Sequence, residues 1–165
     1  MFNIGDKVVY PMHGAGIIES IEEKEILGES QQYYIMRLPI GDMKVMIPMN
    51  NVDSIGLREV VDEATITEVI ERLSTGDHDV SNNWNRRYRA NLDKMKSGDI
   101  HDMADVVRCL VLREREKGLS TGERKMLDNA RQILISEMVL AKEMDEHQAF
   151  GLLDQIIQSG EKASG

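Results

Sequence analysis

The stretch with the most chemistry in it is Asn82-Asn83-Trp84-Asn85-Arg86-Arg87-Tyr88-Arg89-Ala90-Asn91-Leu92, where the chain's only tryptophan sits about one helical turn from three arginines. Arginine and asparagine hold phosphates and reach groove edges, and an indole can stack on bases or wedge between them. The same spacing has a plainer reading. Trp84, Tyr88, Leu92 and Met95 recur at helical intervals, and a tryptophan heading such a stripe packs into a helical core. The polar run Ser81-Asn82-Asn83 before it favours exposure, because a side chain at a helix start can project beyond a bundle. Both readings stand at this point, and the arginines also fit a solvated helix flank.

Nothing comparable suggests catalysis. His13, His78, His101 and His147 are far apart, and none lies in a metal-binding spacing. His101 and Asp105 are one turn apart, a pair that solvated polar faces explain. Cys109 is the only cysteine, so no intrachain disulfide can form. His13-Gly14-Ala15-Gly16 leads into a strand pattern, whereas a phosphate loop needs a helix start behind its glycines; a tight turn is the expectation. No nucleophile motif is present. Catalytic residues, metal ligands, cofactors and a small-molecule substrate are therefore all expected to be absent.

Charge localises the interest. The 165 residues carry a net charge of −9, with 41% hydrophobic and 30% charged residues, which fits a folded chain and opposes a polyanionic partner. Within that acidic background, residues 82–98 hold Arg86, Arg87, Arg89, Lys94 and Lys96 against Asp93 alone. This basic island can steer a polyanion locally. No run of about 18 apolar residues occurs, and Met1 to Asp6 lacks the basic start and apolar stretch of a signal peptide. A cytoplasmic protein without a membrane partner is expected.

Two periods position these residues. Residues 1–55 read as strands: Lys7–Tyr10 up to Pro11, Ala15–Glu25, Gln32–Leu38, Lys44–Pro48 after the hairpin signal Gly41-Asp42, and a last short segment Val52–Ile55. That set suits a small SH3-like or Tudor-like barrel with Lys44–Ile47 as an open edge. From Thr65 the period is helical. Thr65-Ile66-Thr67-Glu68 has capping-box form before a stripe ending near Gly76, and a second helix runs from Trp84 to Gly98. Asp99 opens a third, stopped at Gly118, and Ser120-Thr121-Gly122-Glu123 caps a long fourth. Asp145–Ile157 makes a fifth, followed by a tail from Ser159. The expected fold is α+β, with a barrel over residues 1–61 and a helical domain of about five helices over 62–165.

Several blocks, in order, resemble the CarD family of bacterial transcription regulators across residues 1–158. They are Gly5-Asp6-Lys7-Val8-Val9-Tyr10-Pro11-Met12-His13-Gly14, Asn83-Trp84-Asn85-Arg86-Arg87-Tyr88, Ser97-Gly98-Asp99, Val106-Val107-Arg108, and Leu119-Ser120 with Glu123-Arg124-Lys125-Met126-Leu127. The resemblance implies a non-enzymatic factor whose Tudor-like module binds the RNA polymerase β subunit. Its helical domain would then meet promoter DNA at the upstream edge of the melted bubble and lengthen the life of the open complex. It implies Trp84 as a minor-groove wedge, Arg86, Arg87, Arg89 and Arg124 as its basic neighbours, and Lys24, Ile26 and Met46 as polymerase contacts. Met46 departs from relatives that often carry arginine there. The factor would then lie at the nucleoid through polymerase. A protein-binding adaptor, with Trp84 in the core of a helical docking domain, is the alternative.

Overall fold

The computed structural model describes residues 2–39, 41–75 and 83–164, with side chains to residue 157. The expected helix stop at Gly76, His78 and the run Ser81-Asn82 lie outside the described residues.

Alternating apolar residues give the first half its strands, β1 (Lys7–Tyr10), β2 (Gly14–Ile26), β3 (Glu29–Leu38) and β4 (Met43–Pro48). They form an antiparallel sheet in the order β4-β3-β2-β1-β5, where β5 is the two-residue strand Arg58–Glu59. The sheet does not close into the expected barrel: β4 and β5 are its two edges. Val8, Ile18, Tyr34, Met36 and Ile47 are its buried face. The turn expected at the glycines lies just before them, at residues 11–13, with the His13 N–H donating to the Tyr10 carbonyl at 2.9 Å; Gly14 and Gly16 are already in β2, where Gly16 lets β3 approach closely. A Cβ on Gly16 would lie 2.4 Å from the Arg37 carbonyl oxygen.

Val52–Ile55 is not a strand. It is a short helix, α1, preceded by a 3-10 turn over Met49–Asn51 and closed by Gly56 at φ 83°. Val52 and Ile55, three residues apart, both pack against the sheet core, as a helical turn allows and an alternating strand does not.

Five further helices follow: α2 (Glu63–Thr75), α3 (Trp84–Lys96), α4 (Ile100–Glu116), α5 (Thr121–Lys142) and α6 (Glu146–Ser164). α2 starts before the expected box because Asp62, not Thr65, caps it: the Asp62 carboxylate accepts from Thr65 N–H and Oγ1–H at 2.9 and 2.7 Å. Asp99 and Ser120 cap α4 and α5 as read, accepting from His101 N–H at 2.7 Å and Glu123 N–H at 3.2 Å. α6 runs through the expected tail to Ser164. The helices enclose a second core around Val106, Leu110, Leu134 and Met138, while Val9, Ala15 and Leu140 make a small apolar seam between sheet and helices.

Candidate functional site

Asn83 caps α3 by accepting from Arg86 N–H, so Trp84 is the first residue of the helix and lies at its end rather than along its flank. Its side chain is 41% exposed. Two contacts fix it. The indole stacks on the Tyr88 ring with centroids 4.8 Å apart and planes 17° apart. The indole N–H donates to Ser120 Oγ at 2.9 Å. Gly122, at the start of α5, lies beside both rings, and a Cβ there would meet each at an ordinary contact distance of 3.7 Å. Tyr88 covers one face of the indole, and the ring is held without being enclosed. The reading of Trp84 as a core residue is thereby set aside; only the lower part of its stripe, ending in Met95, reaches the core.

The basic neighbours divide. Arg86 and Arg89 are exposed and make no ion pair among the described residues. At about 100° per residue they lie on the side of α3 away from Trp84. Arg124 is 57% exposed on α5, two residues past Gly122, and pairs with Glu114 at 2.9 Å. Arg87 departs from the expectation. It is 2% exposed, and its guanidinium grips Glu123, Nε to Oε2 at 2.7 Å and Nη2 to Oε1 at 3.0 Å. A phosphate cannot reach it there. Burial pushes the Glu123 carboxyl up, but the Arg87 hydrogen bond and charge, Arg113 and the Ser120 backbone outweigh it and bring the carboxyl below its ordinary value. Arg87 is thus a tie between α3 and α5 that steadies the platform under Trp84.

Sequence reasoning missed Ser120 as part of this site. The capping-box pattern found Ser120 for its backbone role, and nothing in the spacing says that its hydroxyl also takes the indole N–H. Tyr88 was legible in part, four residues from Trp84 and so one turn along the same face.

The second group of expected contacts lies on the sheet. Met46 pairs with Ile35, and Ile35 with Ser20. Strand alternation from Ser20 then puts Lys24 and Ile26 on the same face as Met46, about 13 and 20 Å along β2. That face is the reverse of the one carrying Ile18 and Met36. Ile26 and Met46 are 53% and 46% exposed, and Lys24 is within 3.6 Å of Glu22. β4 has a neighbour only in β3, which leaves its other side open to a further strand.

Elsewhere the polar groups pair with one another. Asp105, expected on a solvated face, is 9% exposed and held by Arg72 at 2.8 and 2.7 Å, while His101 faces Asp99 and Glu68. Among the described residues no group of three or more His, Cys, Asp or Glu is placed to hold a metal ion. No helix among them is long and apolar enough to cross a membrane.

Two family models match the chain: the CarD-like/TRCF RID domain over residues 2–61 and the CarD C-terminal domain over residues 68–154. The protein belongs to the CarD family. It is 48% identical over 148 residues to YdeB of Bacillus subtilis (strain 168), whose name marks it as a candidate transcription factor; the match covers 90% of this chain and 97% of that one. Over 36% of this chain and 79% of the other, it also aligns with the solution NMR structure of the 72-residue N-terminal domain of Myxococcus xanthus CarD, at 34% identity and a TM-score of 0.32.

Proposed function

We propose that this CarD family member regulates transcription initiation without catalysing a reaction. Its sheet binds the β subunit of bacterial RNA polymerase through the face of Lys24, Ile26 and Met46 and the free edge of β4. Its helical domain sets Trp84 into the minor groove of promoter DNA at the upstream edge of the bubble and so stabilises the open complex. The observation that carries this reading is the half-exposed Trp84, anchored by Tyr88 and Ser120. A buried ring could not insert, and a loose one would lose ordering entropy on doing so. The match of residues 2–61 to the CarD-like/TRCF RID domain supports the polymerase contact.

The energetics fit a tethered factor. A chain of net charge −9 with a few exposed arginines binds DNA no better than about micromolar on its own. Attachment to polymerase supplies an effective concentration on the order of millimolar. Inserting a ring costs a few kcal/mol of unstacking, least where the duplex is already opening. Trp84 therefore favours the open state over the closed one, and that difference is what shifts the equilibrium.

The test is Trp84→Ala in the full chain, measured for melting, polymerase affinity and open-complex lifetime. The stack and the hydrogen bond to Ser120 lie at the surface, so the loss of stability should be about 1–2 kcal/mol. Polymerase affinity should hold while the lifetime falls toward that without the factor, with Trp84→Phe in between. An unchanged lifetime overturns the DNA role. A stability loss of about 3–5 kcal/mol, the range for an emptied core site, that tracks the lost lifetime does so too.

A further inference from the structure

The two modules meet at a seam whose apolar part is modest: Val9, Ala15 and Val60 against Leu140 of α5, with Met12 packed on the helical core. Apolar contact has no preferred direction, so a seam of this size does not by itself fix one module's angle to the other. Directional bonds cross it as well. Arg58 of β5 reaches Glu137 of α5 through both terminal nitrogens, Nη1 to Oε2 and Nη2 to Oε1 at 2.7 Å each. The Val61 N–H donates to the same carboxylate at 3.0 Å, and Glu137 is only 2% exposed. Arg58 Nε donates to the Gly98 carbonyl at 2.7 Å, in the turn that follows α3. One side chain of the sheet therefore grips α5 and the end of the helix that begins with Trp84. On the other side of the seam Ser136 Oγ accepts from Ala15 N–H at 2.8 Å, and Lys7 Nζ donates to the Leu140 carbonyl at 3.0 Å.

We infer that Arg58 and Glu137 are positioning residues, which lock the sheet and the helical domain in one orientation and so set where Trp84 stands relative to the polymerase-facing sheet. The inference rests on the division of labour proposed above. With Glu137 buried and Arg58 partly so, the pair contributes less to net stability than to choosing one arrangement over its neighbours, because desolvation of the carboxylate offsets much of the attraction. A wedge acts at one base step, and neighbouring steps are about 3.4 Å apart along the duplex. About ten degrees of rocking at the seam, carried the roughly 20 Å length of α3, moves the indole by a comparable amount. Arg58 and Glu137 touch neither partner and act through the geometry they hold.

The experiment uses the full chain with spin labels at Asp53→Cys on α1 and Asp128→Cys on α5, both exposed; the native Cys109 is buried. The variants are Glu137→Gln and the double change Arg58→Met with Glu137→Gln, which leaves no buried charge alone and guards against simple unfolding. Polymerase affinity should stay within about twofold of the parent. The label-to-label distance distribution should broaden, and open-complex lifetime at saturating factor should fall at least about fivefold. A distribution as narrow as the parent's overturns the inference, and so does a broadened one with an unchanged lifetime. If Trp84→Ala in the parent leaves the lifetime unaltered, it is the proposed function that has failed, and the inference falls with it.

Discussion

Arg86 and Arg87 are neighbours in sequence with opposite environments, and the difference is measurable. Arg87→Ala strands Glu123 in the interior without its partner, which should cost about 3–5 kcal/mol, whereas Arg86→Ala removes an exposed side chain and should stay within about 0.5 kcal/mol. Urea unfolding of the two variants checks this; equal stabilities would mean that Arg87 is not a tie between α3 and α5. The same pair carries a pH signature. The Glu123 carboxyl titrates lower in the folded chain than in the unfolded one, so its contribution is complete above the ordinary value of 4.5 and disappears as pH falls through the lower folded value. The stability gap between the parent and Glu123→Gln should therefore shrink on acidification below about pH 4.5 and stay constant above pH 6 or so. The sequence displayed three arginines near a tryptophan but not this partition, because Glu123 lies 36 residues away and only tertiary packing brings it to Arg87.

At the scale of elements, the β2–β3 hairpin shows how local chemistry and function can pull apart. Ile26 pairs with Glu29, leaving Leu27-Gly28 as a two-residue turn with φ of 54° and 81°. Both residues in that region is the pattern of a type I′ turn, which asparagine-glycine fits best. A leucine held there costs about 1–2 kcal/mol, and Leu27, fully exposed, recovers none of it in packing. Leu27→Asn should therefore stabilise the chain by about 1 kcal/mol and raise its melting temperature by about 2–4 °C. A lower melting temperature would show that Leu27 makes a contact that outweighs the strain. Strand alternation made β1 to β4 legible, and the caps at Asp99 and Ser120 made α4 and α5 so. Val52–Ile55 misled because two β-branched residues three apart satisfy a short strand in composition and a helical turn in spacing. β5 was invisible: Arg58-Glu59 has no apolar pattern, and it is a strand because β1 offers it an edge. The barrel expectation failed at the same place, since two residues of β5 do not reach β4.

For the whole molecule the decisive quantity is how little positive charge an acidic protein can bring to DNA. The island of residues 82–98 held five cations in the sequence, but Arg87 is neutralised inside the fold and Lys94 leans toward Asp105 at 3.9 Å. Arg86, Arg89 and Lys96 remain exposed on α3, Lys96 at the far end about 18 Å along the helix from Trp84, while Arg124 and Lys125 lie on the first turns of α5 near Trp84. The four of these at the Trp84 end, Arg86, Arg89, Arg124 and Lys125, releasing counterions give a log–log dependence of affinity on salt with a slope of about −3 to −4 on fork DNA, shallower than five would give. Arg89→Ala should flatten that slope by about one unit if Arg89 meets a phosphate, and it should leave melting unchanged, because no other described group depends on it. The pairing of Arg124 with Glu114 makes its share the smaller one, since the carboxylate must be displaced before a phosphate can take its place. Salt titration of the full chain on a fork, read by the fluorescence of the only tryptophan, measures all of this at once. A slope near zero would leave the arginines as a solvated helix face and the contact to Trp84 alone. A slope steeper than about −5 would require cations beyond these four, and with them a larger DNA footprint than α3 and the start of α5 provide.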